Sequence, residues 1–191
     1  LVGALTRRPR EREAKLHLGD VPRLSAMAFF GAAIGPVALA WGLQRTSGTS
    51  ASLMLTLEAL FTALLAWRLY GETMDKRVGL AMLLLLLGGM ALVLDQGRLG
   101  GVQMMGLLAV MLATASWGID NTLSRALAER DPGQVVLFKA AMGTAFTAGL
   151  AWLYGETVPS SMAALGLIAV GAMGYGLSLR FYLLAQRAFG A

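Results

Sequence analysis

Four ionisable side chains interrupt long apolar stretches of the sequence: Glu58, Asp120, Lys139 and Arg180. Placing one charge at the centre of a bilayer costs about 2.5–3.5 kcal/mol on insertion scales. Such residues therefore usually face the interior of a helix bundle or a water-filled cavity, where they carry protons or contact a charged solute. These four residues are the first candidates for chemistry in this chain.

Asp120 and Lys139 are predicted to lie at about the same depth in the membrane. Asp120 precedes the end of one apolar run by a few residues, and Lys139 follows the start of the next by a similar number. We predict an ion pair between them, either direct or bridged by a substrate. The alternative is that Lys139 extends to the cytoplasmic surface and that Asp120 bonds locally to Asn121.

Glu58 is the deepest of the four and lies near the middle of LTLEALFTALLAWRLYGE, residues 55–72. Its own run contains no neighbouring positive charge, and Thr62, four residues later, shares its helix face. A protonated carboxyl, or one that faces a polar cavity, would suit a proton or substrate site. A buried hydrogen bond that locks helix packing is the alternative. Arg180, at a comparable level, would contact a substrate anion or extend outward to the surface.

The elements that must position these residues are membrane helices. Of the 191 residues, 57% are hydrophobic and 14% are charged, whereas a soluble domain has about 25% charged residues. About 20 apolar residues cross a bilayer as a helix. We predict an all-α integral membrane protein, a multi-helix bundle with six full transmembrane helices and a partial one at residues 1–6. The six runs are 24–44, 51–70, 78–95, 103–124, 134–154 and 161–184.

The distribution of Lys and Arg predicts the orientation of these helices. The positive residues collect in alternate short connections, which places loops 7–23, 71–77 and 125–133 in the cytoplasm. We expect a bacterial cytoplasmic (inner) membrane, with the lipid bilayer rather than nucleic acid as the partner of the net +5 charge. The chain has no cysteine, one histidine and no catalytic motif. We therefore predict no enzyme activity, no metal and no cofactor.

An internal repeat is indicated by QRTSG at residues 44–48 and QRAFG at residues 186–190, each after a glycine-rich run. Aligning Gln44 with Gln186 leaves room for about five helices between the copies. An odd number of helices per repeat gives the two copies opposite orientations, as in many secondary transporters. We therefore expect a fragment of a ten-helix inverted-repeat transporter fold that lacks the N-terminal helix and the last two helices.

Two stretches resemble the EamA-type repeats of the drug/metabolite transporter (DMT) superfamily: SASLMLTLEALFTALLAWRLYGETMDKRVGLAMLLLLLGGMALVL and ATASWGIDNTLSRALAERDPGQVVLFKAAMG. The resemblance assigns residues 1–96 to the C-terminal part of a first EamA repeat and residues 97–191 to the truncated N-terminal part of a second. It implies two inverted five-helix halves around a cavity that moves small metabolites or drugs, with export the commoner role. Many members have proline where Glu58 stands, and Arg180 occupies a position where an apolar residue is expected.

The function predicted from these features is a secondary transporter of small organic solutes that works by alternating access. A proton gradient would act through Glu58 or Asp120, and a homodimer is left open. A non-transporting receptor or assembly subunit is the alternative. The predicted substrate and proton pathway consists of Glu58, Trp117, Asp120, Asn121, Lys139, Tyr175 and Arg180.

Glycine and proline positions suggest close packing or motion within the helices. Pro36 is expected to kink its helix and to free backbone groups near mid-membrane, where a break can line a transport pathway. Gly171, Gly174 and Gly176 crowd the last run. Small residues let membrane helices approach closely, so these glycines serve either close packing or a movable backbone.

Overall fold

A computed structural model describes residues 14–99 and 101–189, including their side chains except those of 96–99 and 186–189. These residues are almost entirely helical, apart from one isolated bridge between Ala14 and Arg130. A short 3-10 turn at Leu18–Asp20 precedes nine α-helices, and two π-helical segments occupy Ala28–Ile34 and Gly171–Leu177. We number the helices α1 (Val21–Met27), α2 (Gly35–Leu43), α3 (Gly48–Leu55), α4 (Glu58–Tyr70), α5 (Lys76–Leu99), α6 (Gly101–Arg125), α7 (Pro132–Leu153), α8 (Ser161–Val170) and α9 (Ser178–Phe189).

Six helical stretches in the described chain are long and apolar enough to cross a membrane, and they confirm the six predicted runs. Spans 1 to 6 are Leu18–Leu43, Gly48–Tyr70, Lys76–Asp95, Gly101–Arg125, Pro132–Leu153 and Ser161–Ala185. Large apolar side chains such as Leu165, Ile168 and Val170 are exposed along them. Exposed apolar area on this scale is typical of a lipid-facing surface. The chain is an integral membrane helical bundle; the partial helix predicted at residues 1–6 lies outside the described residues.

The first span begins six residues earlier than predicted. Leu18–Asp20 forms a 3-10 turn, and α1 follows with Pro22 in its first turn. Proline is well suited to that position because its missing N–H would have no helical partner there. The prediction of a loop over residues 7–23 is therefore wrong for residues 18–23, and residues 7–13 lie outside the described chain.

Span 2 is not one continuous α-helix. α3 ends at Leu55, α4 begins at Glu58, and the two residues between them form a tightened turn. The backbone N–H of Thr56 donates to the carbonyl of Leu53 at 3.2 Å, and that of Leu57 donates to Met54 at 3.1 Å. These i→i−3 bonds are the 3-10 pattern, and such a stretch inside a longer helix often marks a hinge. Glu58 is therefore the first residue of the second half of the span.

Spans 1 and 6 each contain a π-helical segment, a wide turn that is rare and often found at functional sites. In span 1 the segment Ala28–Ile34 directly precedes α2, which has Pro36 in its first turn. Proline removes one backbone donor and its ring clashes with the carbonyl four residues earlier, and a wider turn relieves that clash. The irregularity expected near Pro36 is present and takes the form of a π turn.

The described chain divides into two compact units, which we call the flanking unit (residues 14–32 and 123–189) and the central unit (residues 33–122). In the central unit, α3 contacts α2 and α5, and α4 contacts α5. Its core includes Met54, Leu57, Leu107 and Val110, which are at most 5% exposed. The residues on both sides of the break in span 2 therefore pack into one apolar cluster.

The flanking unit has its own core. α7 contacts α1 and α9 in this unit. Leu24, Met27, Leu127, Val135 and Leu183 form a buried cluster at that junction, each at most 1% exposed. Apolar packing among α1, α7 and α9 therefore fixes the two helices, α7 and α9, that carry Lys139 and Arg180.

Candidate substrate and proton pathway

Glu58 and Asn121 meet inside the central unit. The side-chain amide Nδ2 of Asn121, on α6, donates a hydrogen bond of 2.5 Å to Oε1 of Glu58, on α4. An amide donor can serve a carboxylate or the carbonyl oxygen of a neutral carboxylic acid, so this contact is compatible with either protonation state. The structure thus joins two of the predicted site residues and supplies the interhelical hydrogen bond that we expected as the alternative role of Glu58.

Gly118 brings the two helices that carry this pair into backbone contact. A Cβ atom placed on Gly118 would lie 2.6 Å from Cβ of Phe61 and 3.3 Å from the backbone nitrogen of Thr62. Real side chains cannot approach that closely, so α4 and α6 can pack in this way only because residue 118 is glycine. Gly118 lies one helical turn from Asn121, and Phe61 lies one turn from Glu58. The close approach therefore positions the hydrogen-bonded pair.

A second polar group lies beside this pair. The hydroxyl oxygen of Thr62 is buried, and no hydrogen-bond partner for it exists among the described residues. Buried hydroxyls are usually paired, because leaving one unpaired costs free energy. Thr62 lies four residues after Glu58, on the same face of α4. A solute or water between the helices would supply the missing partner.

Asp120 and Trp117 also belong to the central unit. Asp120 is 7% exposed, although it is an acidic residue in a membrane span, and Trp117 is half-buried. Asp120 is the neighbour of Asn121 in sequence, so a second carboxyl lies near the Glu58 pair along α6. Four of the seven predicted site residues therefore belong to the central unit.

The other three site residues belong to the flanking unit. Lys139, on α7, is 1% exposed, and Arg180, on α9, is 4% exposed. The ammonium nitrogen of Lys139 lies 5.5 Å from the ring centre of Tyr175, which is within the range of a cation–π interaction. Tyr175 is part of the second π segment. Burial of both cations does not agree with the alternative that Lys139 and Arg180 extend to the membrane surface.

The predicted ion pair joins Asp120 of the central unit with Lys139 of the flanking unit, and it stays a prediction. The alternative hydrogen bond of Asp120 to Asn121 also stays a prediction, since the amide of Asn121 has two N–H groups and Glu58 accepts from one of them. Both Asp120 and Lys139 are buried, and a charged group buried in a membrane span usually pairs with another.

A polar contact at the starts of spans 1 and 5, which we call the clasp, lies in the flanking unit. Arg130 contacts both carboxyl oxygens of Asp20, with Nε at 3.0 Å and a terminal nitrogen at 3.2 Å. The backbone N–H of His17 also donates to Asp20 at 2.9 Å. Asp131 then begins α7 as its N-cap, accepting from the backbone N–H groups of Gly133 and Gln134. The start of span 1 is therefore tied to the start of span 5.

Sequence reasoning missed the break at Thr56–Leu57 and the role of Gly118. The break leaves no proline or glycine signal, since both of its residues are common in helices. Gly118 did carry a signal, because an isolated glycine in a helix costs about 1 kcal/mol relative to alanine and usually has a packing reason. Neither the partner helix nor the contact could be read from that cost.

Comparison with known proteins finds a family match in the first part of the chain. The model of the EamA-like transporter family matches residues 2–94. An "Uncharacterized transporter" of Methanothermobacter thermautotrophicus is 32% identical over 127 residues, which are 64% of this chain and 37% of that protein. No solved structure matches the chain.

The EamA match includes Glu58 and the broken span 2, while α6, α7 and α9 lie beyond it. This match confirms the resemblance noted for the first repeat. The assignment of residues 97–191 to a second EamA repeat stays a prediction. The chain spans about a third of the length of the curated relative that it matches, 37%.

Proposed function

We propose that this chain is part of a secondary transporter that exports small organic solutes across a bacterial cytoplasmic membrane by alternating access, with protons carried by Glu58 or Asp120. The family match of residues 2–94 and the name of the relative support a transporter. The observation that carries the proposal is the Glu58–Asn121 hydrogen bond at the break of span 2.

The tightened turn in span 2 places groups at this site that can bind a solute. Discontinuous helices in transporters place backbone and side-chain groups at mid-membrane, where substrates and coupling ions bind. Here the break delivers Glu58, and the same face carries the unpaired hydroxyl of Thr62. A solute that bonds to Thr62 and competes for the Asn121 amide would contact the carboxyl directly.

The hydrogen-bond donor that Glu58 uses supports the proposed proton coupling. Because an amide N–H can donate to Glu58 in both protonation states, the carboxyl can gain and lose a proton without leaving its partner. Asp120, one residue from Asn121 and 7% exposed, provides a second carboxyl near the first. Two carboxyls in one unit allow a proton to be exchanged for a solute.

The test uses the full-length protein in proteoliposomes with a pH gradient and an internal pH-sensitive dye. A screen of small organic solutes is expected to find compounds that release the gradient with the wild-type protein. Glu58→Gln and Asp120→Asn are expected to abolish this flux, whereas Glu156→Gln, a matched change at an exposed loop carboxyl, leaves it intact. Wild-type flux in both buried-site variants would remove the proposed proton site.

A second test separates a transporter from a receptor or an assembly subunit. The sequence contains no cysteine, so Asp120→Cys introduces a single thiol into this part of the protein. An alternating-access cavity exposes that position to water in one state, and an impermeant thiol reagent is expected to label it from one side. Absence of labelling from either side would favour a membrane protein with no water-accessible pathway.

A further inference from the structure

The two π segments lie at matching positions in their spans. Span 1 begins at Leu18 and span 6 at Ser161, and in each the π segment starts ten residues later, at Ala28 and at Gly171. A π turn contains one residue more than the α turn it replaces and is rare in helices. A wide turn that starts ten residues after the first residue is therefore a feature that these two spans share.

Different residues produce the two wide turns. Pro36 follows the first segment and fixes it, because an α turn there would clash with the proline ring. The second segment contains no proline and has glycine at three of its seven positions, Gly171, Gly174 and Gly176. A Cβ on Gly171 or Gly174 would meet no atom within 4 Å among the described residues. No side chain or backbone among the described residues therefore packs against these two glycines.

Glycine weakens an α-helix because it has the most backbone freedom to lose. Relative to alanine, glycine disfavours the α-helical state by nearly a factor of five at each position. At Gly171 and Gly174 this cost is not recovered by packing. The sequence thus lowers the stability of the α form of this turn without fixing the π form.

We propose that the second π segment is a movable turn, whose extra residue migrates along α9 during the transport cycle. When the wide turn moves from Gly171–Leu177 to a position after Arg180, Tyr175 joins a regular α turn. The residues up to Arg180 then rotate about the helix axis by about 100°, the angle of one residue. Leu183 stays in the core and α8 keeps its position, because a shifted wide turn preserves the register at both ends. Tyr175 thereby leaves the ammonium group of Lys139, and Arg180 changes the direction it faces.

This inference rests on the proposed function, since it assigns the motion to a transport cycle, yet the motion can be measured without any substrate. Spin labels are placed at Leu137→Cys and Ser178→Cys, both on exposed positions of the flanking unit. Ser178 lies between Tyr175 and Arg180 and rotates with them, while Leu137 on α7 provides the reference. The full-length protein, with any cysteine outside these 191 residues replaced by serine, is reconstituted in liposomes for pulsed electron–electron distance measurement.

The wild-type protein is expected to give two distance populations. Deletion of Gly174 removes the extra residue and is expected to leave one population. The double variant Gly171→Ala and Gly174→Ala is expected to change the ratio of the two populations by roughly five- to thirtyfold, because alanine favours the α turn. Gly166→Ala, at an open position of the regular helix α8, provides the matched control and is expected to keep the wild-type ratio.

A single distance in the wild-type protein would overturn the movable turn, whatever the variants do. Equal responses to Gly166→Ala and to the double variant would overturn it as well. If the deletion prevents folding, the alanine variants still test the proposal, since they introduce no clash. Two populations in a protein that shows no solute flux would instead count against the proposed function alone.

Discussion

The two units of this chain are stabilised in different ways at their polar and glycine positions. In the central unit, a Cβ on Gly42 would lie 2.7 Å from the carbonyl oxygen of Gly106, while Gly79 and Gly88 on the regular helix α5 meet no described atom within 4 Å. In the flanking unit, Gly143 lies against Ala32, and Gly171 and Gly174 are open positions within a π segment. Both units therefore use glycine at close helix contacts, and they differ in that open glycines of the flanking unit lie within a π segment.

The polar side chains of the two units also differ in where they lie along the spans. The central unit places a carboxyl–amide hydrogen bond, Glu58 with Asn121, within the membrane spans. The flanking unit places an ion pair, Asp20 with Arg130, at the start of span 1. Charges at a span end cost less to solvate than charges at mid-membrane. The ion pair is therefore suited to stabilising the fold. The half-buried Glu58–Asn121 hydrogen bond is suited to a binding site, where a solute can replace one of the two partners.

The largest effect is expected when a packed glycine of the central unit is replaced. Gly106→Ala places a Cβ 2.8 Å from the backbone carbon and the Cβ of Arg45, and backbone cannot move aside as a flexible side chain can. Overpacking of this kind typically costs about 1–3 kcal/mol. Thermal unfolding in detergent should show a lowered midpoint for Gly106→Ala, and little change for Gly174→Ala. Equal midpoints for the two variants would erase the contrast between packed and open glycines.

An intermediate loss of stability is expected when the Asp20–Arg130 clasp is removed. Asp20→Asn removes the charge that Arg130 contacts at 3.0 Å while it keeps the side-chain size. Hydrogen bonds to charged groups contribute about 1.5–3 kcal/mol, and Arg130, with 28% of its side chain exposed, recovers part of this by solvation. Unfolding by denaturing detergent should begin earlier in the variant, and high salt should narrow the difference from wild type. Unchanged stability in Asp20→Asn, with Glu156→Gln as the exposed control, would show that the clasp contributes no stability.

Long apolar runs were enough to predict the six spans, because burial in lipid requires about 20 apolar residues regardless of the partner helix. The same argument placed Glu58, Asp120, Lys139 and Arg180 inside the membrane. It could not predict the break before Glu58, since Thr56 and Leu57 are compatible with a regular helix and the turn depends on packing around Leu57. The π turn at Gly171–Leu177 was equally hidden, because glycine indicates close packing and backbone freedom alike, and only the open space around it separates the two.

The smallest effect concerns the unpaired hydroxyl of Thr62, and it decides whether polar atoms of the central unit serve packing or the site. Thr62→Val keeps the shape of the side chain and removes a buried hydroxyl that has no partner among the described residues. Because no hydrogen bond is lost, stability is expected to stay within about 1 kcal/mol of wild type or to rise. Thr122→Val is the matched control, since the hydroxyl of Thr122 donates to the carbonyl of Gly118 at 2.7 Å, and its loss should lower the unfolding midpoint slightly. If Thr62 contacts the solute, Thr62→Val will weaken solute-driven flux while the midpoint holds. A lowered midpoint with normal flux would instead make Thr62 a packing residue and confine the site to Glu58 and Asn121.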